Sequence, residues 1–240
     1  MRIGVVVAFW RREAIAWLML RRLANAARGH DVTIAAVTDE EENGRAAEMF
    51  GCEVVKAQNS PLSNKHNAGA AHLRGRVDAI VVLGSDNWVC DRFFGVWQRE
   101  LSAAPIVGVT DSWQVCVHRP EALYYPGYTK PHRRGETLGA ARGLRADVLD
   151  RLDWQPWLIG KERGLDWSMR QKLRGLGYDT AGRKQAELGV RMIGVKSDES
   201  LTKVEKFMAA PGSVLVEREE ALRPFPQDEC AALESLRTGG

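Results

Sequence analysis

Two stretches decide how the chain is read: Lys65-His66-Asn67-Ala68-Gly69-Ala70-Ala71, and Asp78-Ala79-Ile80-Val81-Val82-Leu83-Gly84-Ser85-Asp86-Asn87. The first reads as a helix start. The second is an unbroken apolar strand, Ala79 to Leu83, that gives way at once to small and polar residues. A short strand that is apolar at every position is covered on both faces, as in a parallel sheet. Ligands of open α/β sheets collect just beyond the carboxyl ends of the strands, so the Asp86 carboxylate stands where chemistry is expected.

The same grammar extends outward. Ile3 to Phe9 is a second buried strand rich in β-branched residues, ended by Trp10-Arg11-Arg12, and Ala16, Leu20, Leu23 and Ala27 follow at helical spacing before Gly29. Residues 32–37 form a strand that runs into Thr38-Asp39. A short helix over 44–50 leads to a third strand at 52–55. This alternation predicts an α/β fold with right-handed crossovers and a mostly parallel, mixed central sheet carrying helices on both faces. Beyond it the pattern predicts a helix over 91–102, a strand over 106–109, a helix over 144–152 and another from Leu165 to Leu176 capped by Gly177. Shorter strands near 190–195 and 214–217 and a helix over 200–208 complete the set. Between them, residues 118–143 mix aromatics, prolines and cations without periodicity, as functional loops do. One domain over residues 1–225 and a flexible tail over 226–240 are expected.

Composition narrows the function classes. With 240 residues, 45% hydrophobic and 27% charged, the chain is an ordinary globular one. Arg11, Arg12, Arg21 and Arg22 bracket the longest amino-terminal apolar stretch, so no membrane span or signal peptide is expected, and the expected location is cytoplasmic. Cys52, Cys90, Cys116 and Cys230 are scattered, without the spacing of a zinc site. The net charge of +3 conceals clusters at Arg11–Arg12, Lys130–Arg134 and Arg170–Arg174 that suit phosphate or a polyanion. No Gly-x-Gly-x-x-Gly and no Gly-Lys-Ser/Thr loop is present, which argues against dinucleotide-dependent dehydrogenases and P-loop NTPases.

Taken in order, these features resemble the GT-A glycosyltransferases, in particular their family 2-like branch. The matching residues are the strand Ile3 to Phe9, Asp39 after the second strand, Asn67-x-Gly69 with Ala71, the run Leu83-Gly84-Ser85-Asp86-Asn87, and Glu162 to Arg170 opening a helix. The resemblance covers about residues 1–180 and implies a single GT-A domain: a nucleotide-sugar part over roughly 1–115 and an acceptor part over roughly 116–225. It implies transfer of a sugar from a nucleotide-diphosphate sugar to an acceptor hydroxyl, with Asp86 holding Mn²⁺ or Mg²⁺ against the departing diphosphate. Asp166 is then the first candidate for general base and Glu162 the second. Phe9, Arg11, Asp39, Lys65, Asn67, Ser85, Arg133 and Arg134 are the substrate-binding set, Asp39 toward the nucleoside and the cations toward the phosphates.

Two departures from the family pattern stand out. Gly84 occupies the position of the first aspartate of Asp-x-Asp, with no histidine after His132 to match a late metal ligand and Asp198 left as an acidic stand-in. Glu162 to Asp166 does not align uniquely with the family's Glu-Asp-x-Asp, Glu162 being one residue out of place. Three alternatives follow from the residues. Asp166 and Arg170, four apart, could form a surface ion pair with no catalytic role. A sugar-phosphate nucleotidyltransferase could use a similar sheet, although Phe9-Trp10-Arg11-Arg12 lacks the glycines of its phosphate loop. A non-catalytic nucleic-acid-binding module would suit the cations and aromatics of Tyr124 to Arg134, and the same residues make DNA a conceivable acceptor.

Overall fold

A computed structural model describes residues 1–238. Strand β1 (Ile3–Ala8) lies at the centre of a six-stranded sheet. It pairs in parallel with β2 (Val32–Thr38) and β4 (Ala79–Gly84), so that Val5 lies between Ile34 and Val81, and β3 (Glu53–Lys56) adds in parallel to β2. Helices α1 (Glu13–Ala27), α2 (Glu41–Met49) and α3 (Leu62–His72) make the crossovers. The alternation of β1 explains its apolar run. Ile3, Val5 and Val7 pack into one buried cluster with α1, whereas Val6 packs into the other cluster with Val37 and Val82. Helix α3 comes close to the sheet because Gly69 has no side chain: a Cβ there would lie 2.6 Å from Val37 and 2.8 Å from Val6.

After β4 the chain leaves this sheet. Residues Ser85 and Asp86 turn it directly into β5 (Asn87–Val89), an edge strand of a second, five-stranded sheet. Helix α4 (Phe93–Ala103) and β6 (Ile106–Val107) follow. Then come β7 (Ser112–Cys116) and β8 (Ala122–Tyr125), which are antiparallel, and β9 (Gly143–Arg145), which returns to the first sheet antiparallel to both β4 and β6. Helices α5 (Ala146–Asp150), α6 (Leu165–Gly175) and α7 (Gln185–Leu188) precede β10 (Met192–Lys196). That strand fits between β7, in parallel, and β5, antiparallel. The chain closes with α8 (Val204–Met208), β11 (Val214–Val216), α9 (Arg218–Leu222) and α10 (Gln227–Thr238). The result is the mixed α/β fold expected from the sequence, a mostly parallel central sheet flanked by helices. Among the described residues no helix is long and apolar enough to cross a membrane.

Three expectations need correction. The aperiodic segment 118–143 contains β8 and a turn of 3-10 helix at Pro131–Arg133, and Leu144 belongs to β9 rather than to a helix. These elements are three or four residues long, too short for periodicity to reveal. The expected tail is instead the helix α10 as far as residue 238, and Gly239 and Gly240 lie outside the described residues. Leu233 is fully buried against the core, and Glu229, also buried, pairs with buried Arg22 of α1 (Nη1 to Oε2, 2.9 Å) and accepts from Asn25 Nδ2 (2.6 Å).

Removing one member of a buried ion pair strands the other, at a cost of about 3 kcal/mol. Glu229→Ala is therefore expected to lower the urea midpoint by about that much stability, at the low end of the range because Asp91 remains beside Arg22. An unchanged midpoint would mean that α10 is not docked.

Candidate active site

A cavity of about 1150 Å³ opens at the carboxyl ends of β1 and β4, where the two sheets diverge. Its walls come from the turn after β4, from β10, from the 126–142 segment and from the start of α6.

One end is built around Asp86. Its carboxylate is buried and its Oδ2 accepts from Lys196 Nζ (2.8 Å) and Arg12 Nη1 (3.2 Å). Arg12 also donates to Ser85 Oγ (2.8 Å) and Ser200 Oγ (3.2 Å). Burial alone would raise the Asp86 carboxyl, but the two cations outweigh it and hold the group below its ordinary value. Arg11 and Arg12 both have left-handed backbones, φ 52° and 55°. Non-glycine residues rarely adopt this conformation, and it costs about 1 kcal/mol or more each. Of the pair, Arg12 lines the cavity, whereas Arg11 stacks on exposed Trp10, 4.4 Å from its ring centroid.

The other end is built around Asp166, in the first turn of α6, where a carboxylate complements the helix dipole. Tyr128 Oη donates a hydrogen bond to Asp166 Oδ2. Burial, then the charge of Asp166, raises the Tyr128 hydroxyl well above its usual range, so it stays a donor. Arg133 lies over the Tyr128 ring, 3.4 Å from the centroid, and is braced by Glu136 Oε2 (2.9 Å). Gly139 admits the aspartate: a Cβ there would meet Asp166 Oδ1 at 1.7 Å. Buried Arg142 fixes this segment, donating from Nε to Thr137 Oγ1 (2.7 Å) and from Nη2 to Thr137 O (2.6 Å). Between the two ends, His66 packs on Trp157 with ring centroids 4.9 Å apart.

The cavity brings together Ser85, Asp86, Arg133, Glu162 and Asp166 from the residues singled out in the sequence. The others are engaged elsewhere. Asn67 clamps the backbone of Trp157, donating to its O (3.0 Å) and accepting from its N (3.1 Å). Buried Lys65 donates to Phe9 O and to Asn59 Oδ1 (2.9 Å), so Lys65 and Phe9 together fix the end of β1. Asp39 accepts from Asn59 N (2.9 Å), and Arg134 is exposed outside the cavity walls. Glu162 receives Ser60 Oγ and Leu62 N (3.3 Å), capping the start of α3. The suggested Asp166–Arg170 pair does not form, because Arg170 turns to Glu136 and to His132 O (2.9 Å).

Sequence reasoning missed Lys196; it noted Arg12 only as half of a cationic pair from which Arg11 was chosen, and Tyr128 only as one aromatic of the Tyr124 to Arg134 stretch. Lys196 carried a signal, as the residue at which the apolar run of β10 stops. Asp198, the acidic stand-in for a late metal ligand, is 93% exposed and lies 3.7 Å from His118.

A divalent cation asks for several hard oxygen ligands. Asp86 is one carboxylate that already serves two cations, so the cluster sums to one positive charge. A Cβ on residue 84 would sit 3.0 Å from both Asp86 Oδ1 and Asn87 Oδ1, which leaves no ready space for a second carboxylate. Among the described residues, no group of three or more His, Cys, Asp or Glu is arranged to hold a metal. The residues present do not fit a bound Mg²⁺ or Mn²⁺.

No family profile matches this chain. No curated protein sequence matches it either. Solved structures do. Glucosyl-3-phosphoglycerate synthase from Mycobacterium tuberculosis, in complex with Mn²⁺, uridine diphosphate and glucosyl-3-phosphoglycerate, is similar over 99% of this chain and 77% of its own, at 13% identity and TM-score 0.50. 4-Diphosphocytidyl-2C-methyl-D-erythritol synthase from Anaerococcus prevotii is similar over 98% and 96%, at 9% identity and TM-score 0.50. S. aureus TarS 1–349 matches 83% of this chain at 13% identity and TM-score 0.49, and the chain spans 59% of its length. At these identities the likeness shows the fold alone. It is the GT-A fold that the sequence resemblance implied.

Burial, then the neighbouring Lys65, pushes the His66 imidazole down from 6.5 to about 4. A histidine held neutral stabilises the fold fully above its unfolded value, and that contribution is lost as pH falls from 6.5 through 4. His66→Gln should therefore lose less stability than the parent between about pH 7 and about pH 4.5, read from urea midpoints at each pH. Equal losses would refute a neutral, partly buried His66.

Proposed function

We propose that the protein is a glycosyltransferase that moves a sugar from a nucleotide-diphosphate sugar to an acceptor hydroxyl. The observation that carries this reading is the pairing of two carboxylates, Asp86 and Asp166, at the two ends of one cavity at the carboxyl edge of a GT-A sheet. Asp86, with its cations, belongs to the strand end where the donor diphosphate is expected. Asp166 is the general base. It accepts the acceptor hydroxyl proton while the acceptor oxygen bonds to the sugar carbon, and the bond to the diphosphate breaks with its electrons retained on the leaving group. Tyr128 fixes one oxygen of Asp166 and leaves the other for the acceptor. Glu162, exposed and engaged at the start of α3, is the weaker choice for base.

Lys130, Arg133 and Lys206 also line the cavity and suit an acceptor that carries anionic groups. DNA is one such polyanion. Binding to duplex DNA that weakens steeply with salt would favour it, and binding indifferent to salt would count against it. A sugar-phosphate nucleotidyltransferase uses the same kind of sheet, but the segment after β1 carries strained arginines in place of a glycine-rich phosphate loop.

UDP-, GDP-, TDP- and ADP-sugars, each with and without Mn²⁺, should include at least one that raises the melting temperature and is slowly hydrolysed. Saturation at about 100 times Kd adds about 2.7 kcal/mol. If no nucleotide sugar stabilises the protein under either condition, the reading falls. With the active donor, Asp166→Asn should retain donor binding and lose about 10²-fold or more in turnover. Gly139→Ala, which drives a methyl into Asp166, should lower turnover in the same way. Full turnover in Asp166→Asn would return that carboxylate to a structural role.

A further inference from the structure

The Asp86 cluster has the wrong charge for a metal site and the right charge for an anion. Two cations meet one carboxylate, and all three side chains are at most 13% exposed. Each cation has donors to spare. The Lys196 ammonium carries three N–H groups and gives one to Asp86, and the Arg12 guanidinium carries five and uses Nη1 and Nη2 toward Asp86, Ser85 and Ser200. Both residues line the cavity. The cluster is also braced from three elements: the segment after β1 through Arg12, the β4–β5 turn through Ser85 and Asp86, and the end of β10 through Lys196. A cation entering here would displace an existing partner of Asp86 and meet net positive charge. A diphosphate would find two fixed donors whose charge is only half neutralised.

We propose that Arg12 and Lys196, held in place by Asp86, form a metal-free binding site for the diphosphate of the donor and stabilise it as it leaves. Asp86 is a positioning residue in this arrangement and not a metal ligand. When the bond from the sugar carbon to the diphosphate oxygen breaks, the electron pair stays on that oxygen. The charge it develops is met by the ammonium and the guanidinium. The proton lost by the acceptor goes to Asp166. The site rests on the glycosyltransferase reading for its ligand, but its chemistry can be tested without turnover.

The test is calorimetric titration of the whole protein with UDP, GDP, TDP and ADP, in EDTA and in excess Mn²⁺. At least one nucleoside diphosphate is expected to bind equally well in both. Lys196→Gln and Arg12→Gln should each weaken that binding about tenfold or more, the scale of a lost charge-assisted hydrogen bond. Asp86→Asn, which keeps the shape and both cations, should still bind in EDTA, with melting curves confirming that each variant is folded. Binding that requires Mn²⁺ and disappears in Asp86→Asn would overturn the metal-free site and leave the transferase reading intact. Binding to no nucleoside diphosphate under either condition would overturn both.

Discussion

The structure depends on the burial of one carboxylate. Asp86 sits in the two-residue turn where the chain passes from the six-stranded sheet into the five-stranded one, and it is only 8% exposed. A buried charge without partners is too costly to persist. Arg12 and Lys196 reach it from the segment after β1 and from the end of β10, and so tie the two sheets together at the mouth of the cavity. The backbone strain at Arg11 and Arg12 is intelligible in these terms, since the left-handed pair carries the Arg12 side chain back over the strand ends.

The second pole of the cavity is made by different means. Asp166 owes its position to a helix start, to the absence of a side chain at Gly139 and to the Tyr128 hydroxyl. Arg142 and Thr137 hold the connecting segment rigid. On the proposed reading the two poles divide the work: one carries fixed positive charge for a departing anion, and the other a carboxylate for the arriving hydroxyl. Fixed charges of this kind need no rearrangement at the moment of reaction.

Much of this was legible in the sequence, for identifiable reasons. The strands at Ile3 and Ala79 announced themselves because both faces are buried, and Asp86 and Asp166 could be picked out because each follows an apolar run or opens a helix. What escaped detection has equally clear causes. Strands such as β5 and β9 are three residues long and owe their existence to partners far away in the chain. Helix α10, set off by Pro224 and Pro226, is held by the pairing of Glu229 with Arg22, a contact across more than 200 residues. Asn67 and Lys65 have the residue types of ligand-binding groups, yet they spend their hydrogen bonds on the backbones of Trp157 and Phe9. Which of two adjacent arginines faces the cavity was decided by backbone conformation, and no residue pattern encodes that choice.

The most direct measurement is a crystal structure of the protein grown with a saturating nucleoside diphosphate and EDTA. The account predicts the two phosphates within hydrogen-bond distance of Lys196 Nζ and the Arg12 guanidinium, with the terminal phosphate directed along the cavity toward Asp166. A nucleotide bound outside this cavity, or one whose phosphates avoid both cations, would contradict it.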